Sequence, residues 1–342
     1  MNTDTNHLPI ELGSKWFASP VTRYQAPLIE LRKIIPHFER MTFGNVMHIV
    51  PDYEKGLVQQ FPPSPVDSCN QFYDTIVRMP LNNDETAIPV GIVSKQYNLV
   101  QHQDIIDEVL LALREVKVKS EEISVELDLT TYGERMRLAL KFPDSFGFEV
   151  SKGDRMAFTL ECYNSVDGSL KFMTVLGWLR LICTNGMVRH ERDSYYRRKH
   201  NQYLEMKDIA AVLREGIGSV TVEQRIYKEW VEKKVTEKNL EKWVNGQLAK
   251  AWGVKAAART WHITKYGHDV MFADPFQKGK PTEKDVKPLS AVPGAILPGD
   301  SVYAVSQSLS WLAKERGDVQ ERLLLKQQIP ELVKPLLGAK SF

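Results

Sequence analysis

The chain has 342 residues, of which 43% are hydrophobic and 26% are charged, and these are the proportions of an ordinary globular protein. This length supplies a sizeable core, either in two domains or in one domain with an appended helical part. The formal net charge is only +2, which excludes a general attraction to polyanions. A nucleic-acid role would therefore depend on a local basic patch.

The cysteine content argues against a disulfide framework and against a zinc site with four protein ligands. Cys69, Cys162 and Cys183 lie far apart, and no pair has the Cys-x-x-Cys spacing. The first residues do not have the basic start and apolar run of a signal peptide, and no apolar run has the length of a membrane helix. We therefore expect a cytoplasmic protein without a membrane partner.

Residues 1–69 are predicted to form an irregular N-terminal arm with a short helix. The pattern over 27–40 is partly helical until Pro36 interrupts it, and three prolines over 61–69 favour a loop or an extended arm.

Residues 70–205 are predicted to form an α+β core domain. Segments rich in β-branched and aromatic residues, and segments with alternating apolar residues, predict strands. These strands cover 71–79, 88–100, 122–130, 134–142, 155–163 and 170–182, with a hairpin loop at 164–168. One amphipathic helix is predicted between the second and third strands, because five apolar residues recur there at helical spacing. These residues are Ile105, Ile106, Val109, Leu110 and Leu113.

The rest of the chain is predicted to be mostly helical. Apolar residues recur at helical spacing over 206–272, which includes Trp230, Trp243, Trp252 and Trp261 as expected core residues. Residues 273–300 contain five prolines and three glycines and are predicted to be a linker. Two C-terminal helices are predicted for 301–342.

The segment 178–200 is the most informative part of the chain. An apolar strand breaks at 184–186, and a basic segment with two tyrosines follows, in which five cations outnumber Glu191 and Asp193. The cations are Arg189, Arg192, Arg197, Arg198 and Lys199, the tyrosines are Tyr195 and Tyr196, and His190 and His200 flank the charged stretch. Positive charge interleaved with aromatic rings suits a phosphate backbone and stacked bases.

A second group of cations lies on one face of the predicted sheet. The period of two in a strand places Arg135, Arg137 and Lys141 together, opposite the core, and antiparallel neighbours would add Arg155 and Lys171. This face is interpreted either as a solvated surface or as a basic track for a polyanion.

No motif of known enzyme chemistry is present in the sequence. A nucleophile elbow, a phosphate-binding loop, a dinucleotide fingerprint and the His-Glu-x-x-His pattern are all missing. His262 and His268 are six residues apart and do not share a helical face. Glu122, Glu126 and Asp128 share a strand face, which is more typical of a solvated surface than of a metal site. We therefore expect no metal and no cofactor, and we favour a binding role over catalysis.

Three stretches carry a likeness to a known family. They are 89–110 (PVGIVSKQYNLVQHQDIIDEVL), 179–187 (LRLICTNGM) and 197–201 (RRKHN). The matching residues are Gly91, Val93, Tyr97, Val100, Gln101, Cys183, Asn185, Gly186, Arg197, Lys199 and His200, with Lys199 replacing a family arginine. These stretches resemble a family encoded by phages, plasmids and integrative elements. The family is catalogued as domain of unknown function 932 and is also called phage/plasmid-like protein.

The resemblance implies a setting in DNA transactions, because these mobile elements often carry recombination genes beside the family member. A β-sheet packed on a helix is also the arrangement of single-strand annealing proteins, which hold DNA in a basic groove. This second comparison is an analogy of architecture.

The sequence predicts an α+β protein with a mainly antiparallel sheet over about 70–185, packed on a helix at 102–115, and a helical C-terminal part. The leading functional hypothesis is a non-catalytic protein that binds single-stranded DNA and acts in recombination or counter-defence. A homo-oligomer is compatible with this hypothesis. Its predicted contacts are Arg189, Arg192, Tyr195, Tyr196, Arg197, Arg198, Lys199, His200, Arg135, Arg137 and Lys141. The alternatives are a protein-interaction module acting on the host, and an enzyme with an unrecognised site.

Overall fold

The structure, a computed structural model, describes most of the chain. The described residues are 2–4, 20–42, 48–52, 57–61, 70–181, 186–188, 195–198, 200, 208–272, 282–316 and 318–338. None of the helices within these ranges is long and apolar enough to cross a membrane.

The fold is α+β, as the sequence predicts. The strands are β1 (Asn2–Asp4), β2 (Val21–Gln25), β3 (Phe38–Thr42), β4 (His48–Asp52), β5 (Leu57–Phe61), β6 (Tyr73–Arg78), β7 (Ile88–Ser94), β8 (Ser124–Thr130), β9 (Arg135–Lys141), β10 (Phe148–Ser151), β11 (Asp154–Ser165), β12 (Phe172–Arg180), β13 (Gly186–Val188), β14 (Tyr195–Arg198), β15 (His268–Phe272) and β16 (Val286–Ala291). The helices are α1 (Leu28–Ile34), α2 (His102–Glu115), α3 (Asp208–Gly218), α4 (Val220–Glu232), α5 (Glu237–Trp243), α6 (Ala249–Trp252), α7 (Val254–Tyr266), α8 (Val302–Lys314) and α9 (Val319–Leu337).

The main sheet is antiparallel and has the order β1-β2-β8-β9-β11-β12. Both β13 and β14 pair with β12 beyond that order, and β10 pairs with β11. A smaller antiparallel sheet has the order β3-β6-β7, and β4-β5 and β15-β16 are hairpins.

The core lies between one face of the main sheet and the helices. The predicted stripe of α2 is buried there, with Ile105, Ile106 and Val109 at 0% exposure against strand residues such as Leu138 and Leu160. Helices α3, α4 and α8 extend the same apolar cluster. On the opposite face, the start of α9 packs Val319 and Leu323 on the sheet, and a smaller cluster results.

Two segments differ from the expectation of irregular structure. Within the predicted N-terminal arm, β2 pairs with β8 and β3 pairs with β6. Within the predicted linker, β16 pairs with β15 although it contains Pro288, because a proline is tolerated in a strand at a sheet edge. The predicted boundaries between domains stay a prediction.

Candidate ligand site at the sheet edge

A cleft of about 380 Å³ lies between β7 of the small sheet and the turn that joins β11 to β12. Its volume is within the range of pockets that hold small molecules. The lining residues are Ile92, Val93, Ser94, Tyr97, Asp167, Gly168, Leu170, Lys171 and His200.

The two walls of the cleft approach each other closely at Gly91. A Cβ atom built on Gly91 would lie 2.7 Å from the Cα of Asp167, which is closer than real Cβ contacts. Gly168, in the same turn, has a φ of +78°, a conformation that glycine adopts without strain. The glycine of the family-like Gly-x-Val stretch is therefore required by this contact.

We expect the substitution Gly91→Ala to lower the free energy of unfolding by about 1–3 kcal/mol, because the backbone of Asp167 has to move to admit the methyl group. Urea unfolding of the two proteins measures the difference. Gly218→Ala is the control, since a Cβ there meets no atom within 4 Å. Equal stability of the Gly91→Ala variant and the unsubstituted chain would refute the contact.

Tyr97 lines the cleft and is fixed by two contacts. Its hydroxyl donates a hydrogen bond of 2.8 Å to the carbonyl oxygen of Ser165, and burial raises the pKa of this phenol well above its usual value. The guanidinium group of Arg40 donates to the carbonyl oxygen of Tyr97. These contacts hold the ring between the small sheet and the hairpin turn.

His200 stacks on Tyr97, with ring centroids 4.9 Å apart and an angle of 18° between the ring planes. Its Nδ1 lies 3.2 Å from the carbonyl oxygen of Asn98, while the Asn98 backbone N–H donates to the carbonyl oxygen of His200. Burial lowers the pKa of His200 to about 4, so the imidazole is neutral at pH 7. Its Nε2 is buried and has no hydrogen-bond partner among the described residues.

Asp167 holds the turn that forms the opposite wall. Its carboxylate accepts hydrogen bonds from the backbone N–H and the hydroxyl of Ser169, and Arg135 forms an ion pair with it at 3.0 Å. The side chain of Arg135 is only 5% exposed. Arg135 therefore supports the cleft from inside the protein.

A buried polar pair lies behind the cleft and connects α2 to the hairpin. His102 Nε2 lies 2.9 Å from the carbonyl oxygen of Gly133, and the amide nitrogen of Asn164 lies 2.9 Å from His102 Nδ1. The same amide donates to the carbonyl oxygen of Val100 at 3.0 Å. Since a carbonyl only accepts, Nε2 carries the hydrogen, and Nδ1 accepts from Asn164. Burial lowers the pKa of His102 to about 4.

The strand β14 places part of the basic segment beside the cleft. The strand β14 pairs antiparallel with β12, from Tyr195 opposite Val175 to Arg198 opposite Phe172. Lys171 directly precedes β12, and His200 follows β14 by two residues, so the pairing brings both to the same end of the sheet edge. Arg189, Arg192 and Lys199 lie outside the described residues.

The other predicted cations lie away from the cleft. Arg137 lies on the same face of β9 as Arg135, opposite the core, and its guanidinium group is 3.1 Å from Asp128 and 2.6 Å from Glu161. Burial raises the pKa of Glu161, but Arg137 outweighs this effect and holds that pKa at about 2. Lys141 is half-buried at the end of β9, and Arg155 pairs with Asp144. Their role in contacting nucleic acid stays a prediction.

Candidate metal ligands are not brought together in the part of the chain that the structure describes. No functional role is predicted from the sequence for Tyr97, Asp167, His102 or Asn164. Tyr97 belongs to the family-like stretch, and Asp167 belongs to the Asp-Gly turn signal, so both carried a weak signal. The pairing of His102 with Asn164 joins residues 62 positions apart and has no signal in one sequence.

The protein is an α+β protein, with an antiparallel sheet packed on helices and a ligand-sized cleft at the sheet edge. This architecture alone does not determine a function. The family described as Domain of unknown function (DUF932) matches residues 89–287, which is more than half of the chain. The chain belongs to this family, and the lining residues of the cleft all lie within the matched range. No curated protein and no solved structure matches the chain.

Proposed function

We propose that the chain is a non-catalytic protein that binds single-stranded nucleic acid, preferably DNA, in the cytoplasm. The observation that carries this proposal is the pairing of β14 with β12, which places the Tyr-Tyr-Arg-Arg stretch at the sheet edge. The same edge ends at the cleft lined by Lys171 and His200. Cations at such an edge neutralise phosphates, and aromatic rings there stack on bases of any sequence.

Exposed aromatic side chains on the small sheet extend this surface. Phe72 is 72% exposed and Tyr73 is 48% exposed, which is unusual for rings of this size. Tyr73 lies opposite Ser94, and Ser94 lines the cleft. Single-stranded DNA bound along the sheet edge would therefore contact the cations of β14 on one side of the cleft and the aromatic rings on the other.

The biological role included in this proposal is recombination or counter-defence in a phage, plasmid or integrative element. The support is the family resemblance to proteins of such elements. A non-catalytic role is part of this proposal because the sequence has no motif of known enzyme chemistry.

The test is fluorescence anisotropy of labelled single- and double-stranded oligonucleotides, titrated with the full chain at several salt concentrations. We expect micromolar or tighter binding of the single strand, with an affinity that falls steeply as salt rises. Reversing two charges in R197E/R198E should weaken binding at least tenfold and should lower the salt slope by about 0.7 for each lost phosphate contact on a single strand.

The control for this variant is K228E/K250E, which makes the same change of net charge at two exposed lysines on α4 and α6. An equal loss of affinity in both double variants would show a general charge effect and would refute the assignment to β14. Absence of binding at low salt would overturn the proposed function and would favour the protein-interaction alternative.

A further inference from the structure

We infer that the cleft between Tyr97, Asp167 and His200 takes one unpaired nucleobase of the bound strand. This inference rests on the proposed function and names the part of the ligand that the cleft would recognise. It is carried by the volume and lining of the cleft and by Nε2 of His200, which is buried and has no hydrogen-bond partner in the described part of the chain.

The hydrogen bonds of His200 determine which chemistry its free atom offers. Nδ1 faces the carbonyl oxygen of Asn98, which only accepts, so Nδ1 carries the single ring hydrogen of a neutral imidazole. Nε2 is therefore a bare acceptor, and the residue is only 7% exposed. A buried acceptor without a donor costs free energy, and a ligand that brings an N–H group would remove this cost.

The other polar groups of the cleft also restrict the ligand. The carboxylate of Asp167 is a second acceptor, the ammonium group of Lys171 is a cation, and Ser94 is exposed at the cleft. A phosphate group would meet the carboxylate and a bare nitrogen, and it brings no hydrogen to either, so a phosphate is disfavoured inside the cleft. A planar ring with N–H donors on its edge fits both acceptors.

Every nucleobase has N–H donors on its Watson–Crick edge, and in a duplex these donors are engaged by the opposite strand. Only an unpaired base therefore presents them to His200 and Asp167. The cleft would take the base while β14 follows the phosphates, since Lys171 and His200 stand where β14 ends. Preference for a single strand then follows from hydrogen bonding as well as from charge.

The experiment compares two labelled strands of equal length, one with bases and one with a central run of abasic residues, so that the phosphate charge is the same. The unsubstituted chain should bind the base-bearing strand at least tenfold more tightly. His200→Ala should lose about tenfold for the base-bearing strand and should leave the abasic affinity and the salt slope unchanged. His200→Gln, which retains an acceptor, should recover part of the loss.

Two further variants separate the cleft from the fold. Ser94→Trp places a large ring at the exposed rim of the cleft and should reduce the preference for the base-bearing strand as much as His200→Ala does. His268→Ala, which changes a histidine that does not line the cleft, should bind like the unsubstituted chain. Far-ultraviolet circular dichroism confirms that each variant is folded.

The outcomes distinguish the inference from the proposed function. A preference for the base-bearing strand that His200→Ala and Ser94→Trp leave unchanged would assign the preference to stacking outside the cleft, and it would overturn the nucleobase cleft and leave the proposed function intact. Equal affinity of the unsubstituted chain for both strands would also overturn the nucleobase cleft. Absence of binding to either strand would overturn both. If His200→Ala lowered the affinity for both oligonucleotides to the same extent, His200 would have a structural role at the sheet edge, and this result would also contradict the inference.

Discussion

Asp128→Ala is expected to lower the free energy of unfolding by about 2–3 kcal/mol, because it removes the buried carboxylate that Arg23 and Arg137 share. Among the described residues, the two arginines keep only the partly exposed carboxylates of Glu126 and Glu161. The carboxylate of Asp128 has no exposure to solvent. It accepts hydrogen bonds of 2.7 Å and 3.0 Å from Arg23 and one of 3.1 Å from Arg137. The Arg137 side chain is only 10% exposed, so water does not replace the lost partner.

Urea unfolding followed by circular dichroism measures this loss, and refolding at low temperature serves if the variant is unstable at 25 °C. Glu122→Ala is the matched control, since Glu122 forms an exposed pair with Lys119 at 3.5 Å and should cost less than about 1 kcal/mol. Similar costs for the two variants would contradict the role of Asp128 as a buried ionic centre.

The Asp128 contacts illustrate which part of this fold one sequence predicts. The alternation along β9 places Arg135 and Arg137 on the face opposite the core, because the period of a strand is a local property. The partners of these arginines are not local. Arg23, which shares Asp128 with Arg137, lies 105 residues earlier in the chain than Asp128, and it belongs to a segment whose sequence has no strand pattern. The sequence therefore indicates a basic face where the structure has internal ion pairs.

The same distinction applies to the cleft. The helix α2 and the hairpin before β12 are predictable, because apolar spacing and an Asp-Gly turn are local signals. The stacking of His200 on Tyr97 joins two segments about 100 positions apart, and the sequence shows only that both belong to the family-like stretches. Chain-distant contacts of this kind depend on the complete fold.

The chain is expected to lose stability as the pH falls from about 6.5 towards about 4, because two buried histidines resist protonation in the folded state. Burial lowers the pKa of His102 and of His200 to about 4 from an ordinary value of 6.5. In this window the unfolded chain binds both protons and the folded chain binds neither, so acid favours unfolding. Each histidine contributes a slope of up to about 1.4 kcal/mol per pH unit.

Protonation of His102 has the more direct structural cost. The Nδ1 atom of His102 accepts a hydrogen bond from the side-chain NH2 group of Asn164. An amide NH2 group only donates, so it cannot accept a hydrogen from a protonated Nδ1. Protonation places an N–H group against an N–H group inside the core, where the side chain has no exposure. The junction of α2 with the hairpin is therefore the place where acid should first weaken the protein.

His102→Gln tests this assignment, because a glutamine amide donates to the carbonyl oxygen of Gly133 and does not titrate. Urea unfolding at pH 7, 6 and 5 should show the slope of stability against pH reduced by about one proton, or ~1.4 kcal/mol per pH unit, relative to the unsubstituted chain. His37→Gln, at an exposed position, is the matched control for replacing a histidine by a glutamine. An unchanged slope in His102→Gln would show that the proton enters elsewhere, since a residue that cannot titrate removes its own contribution and no other.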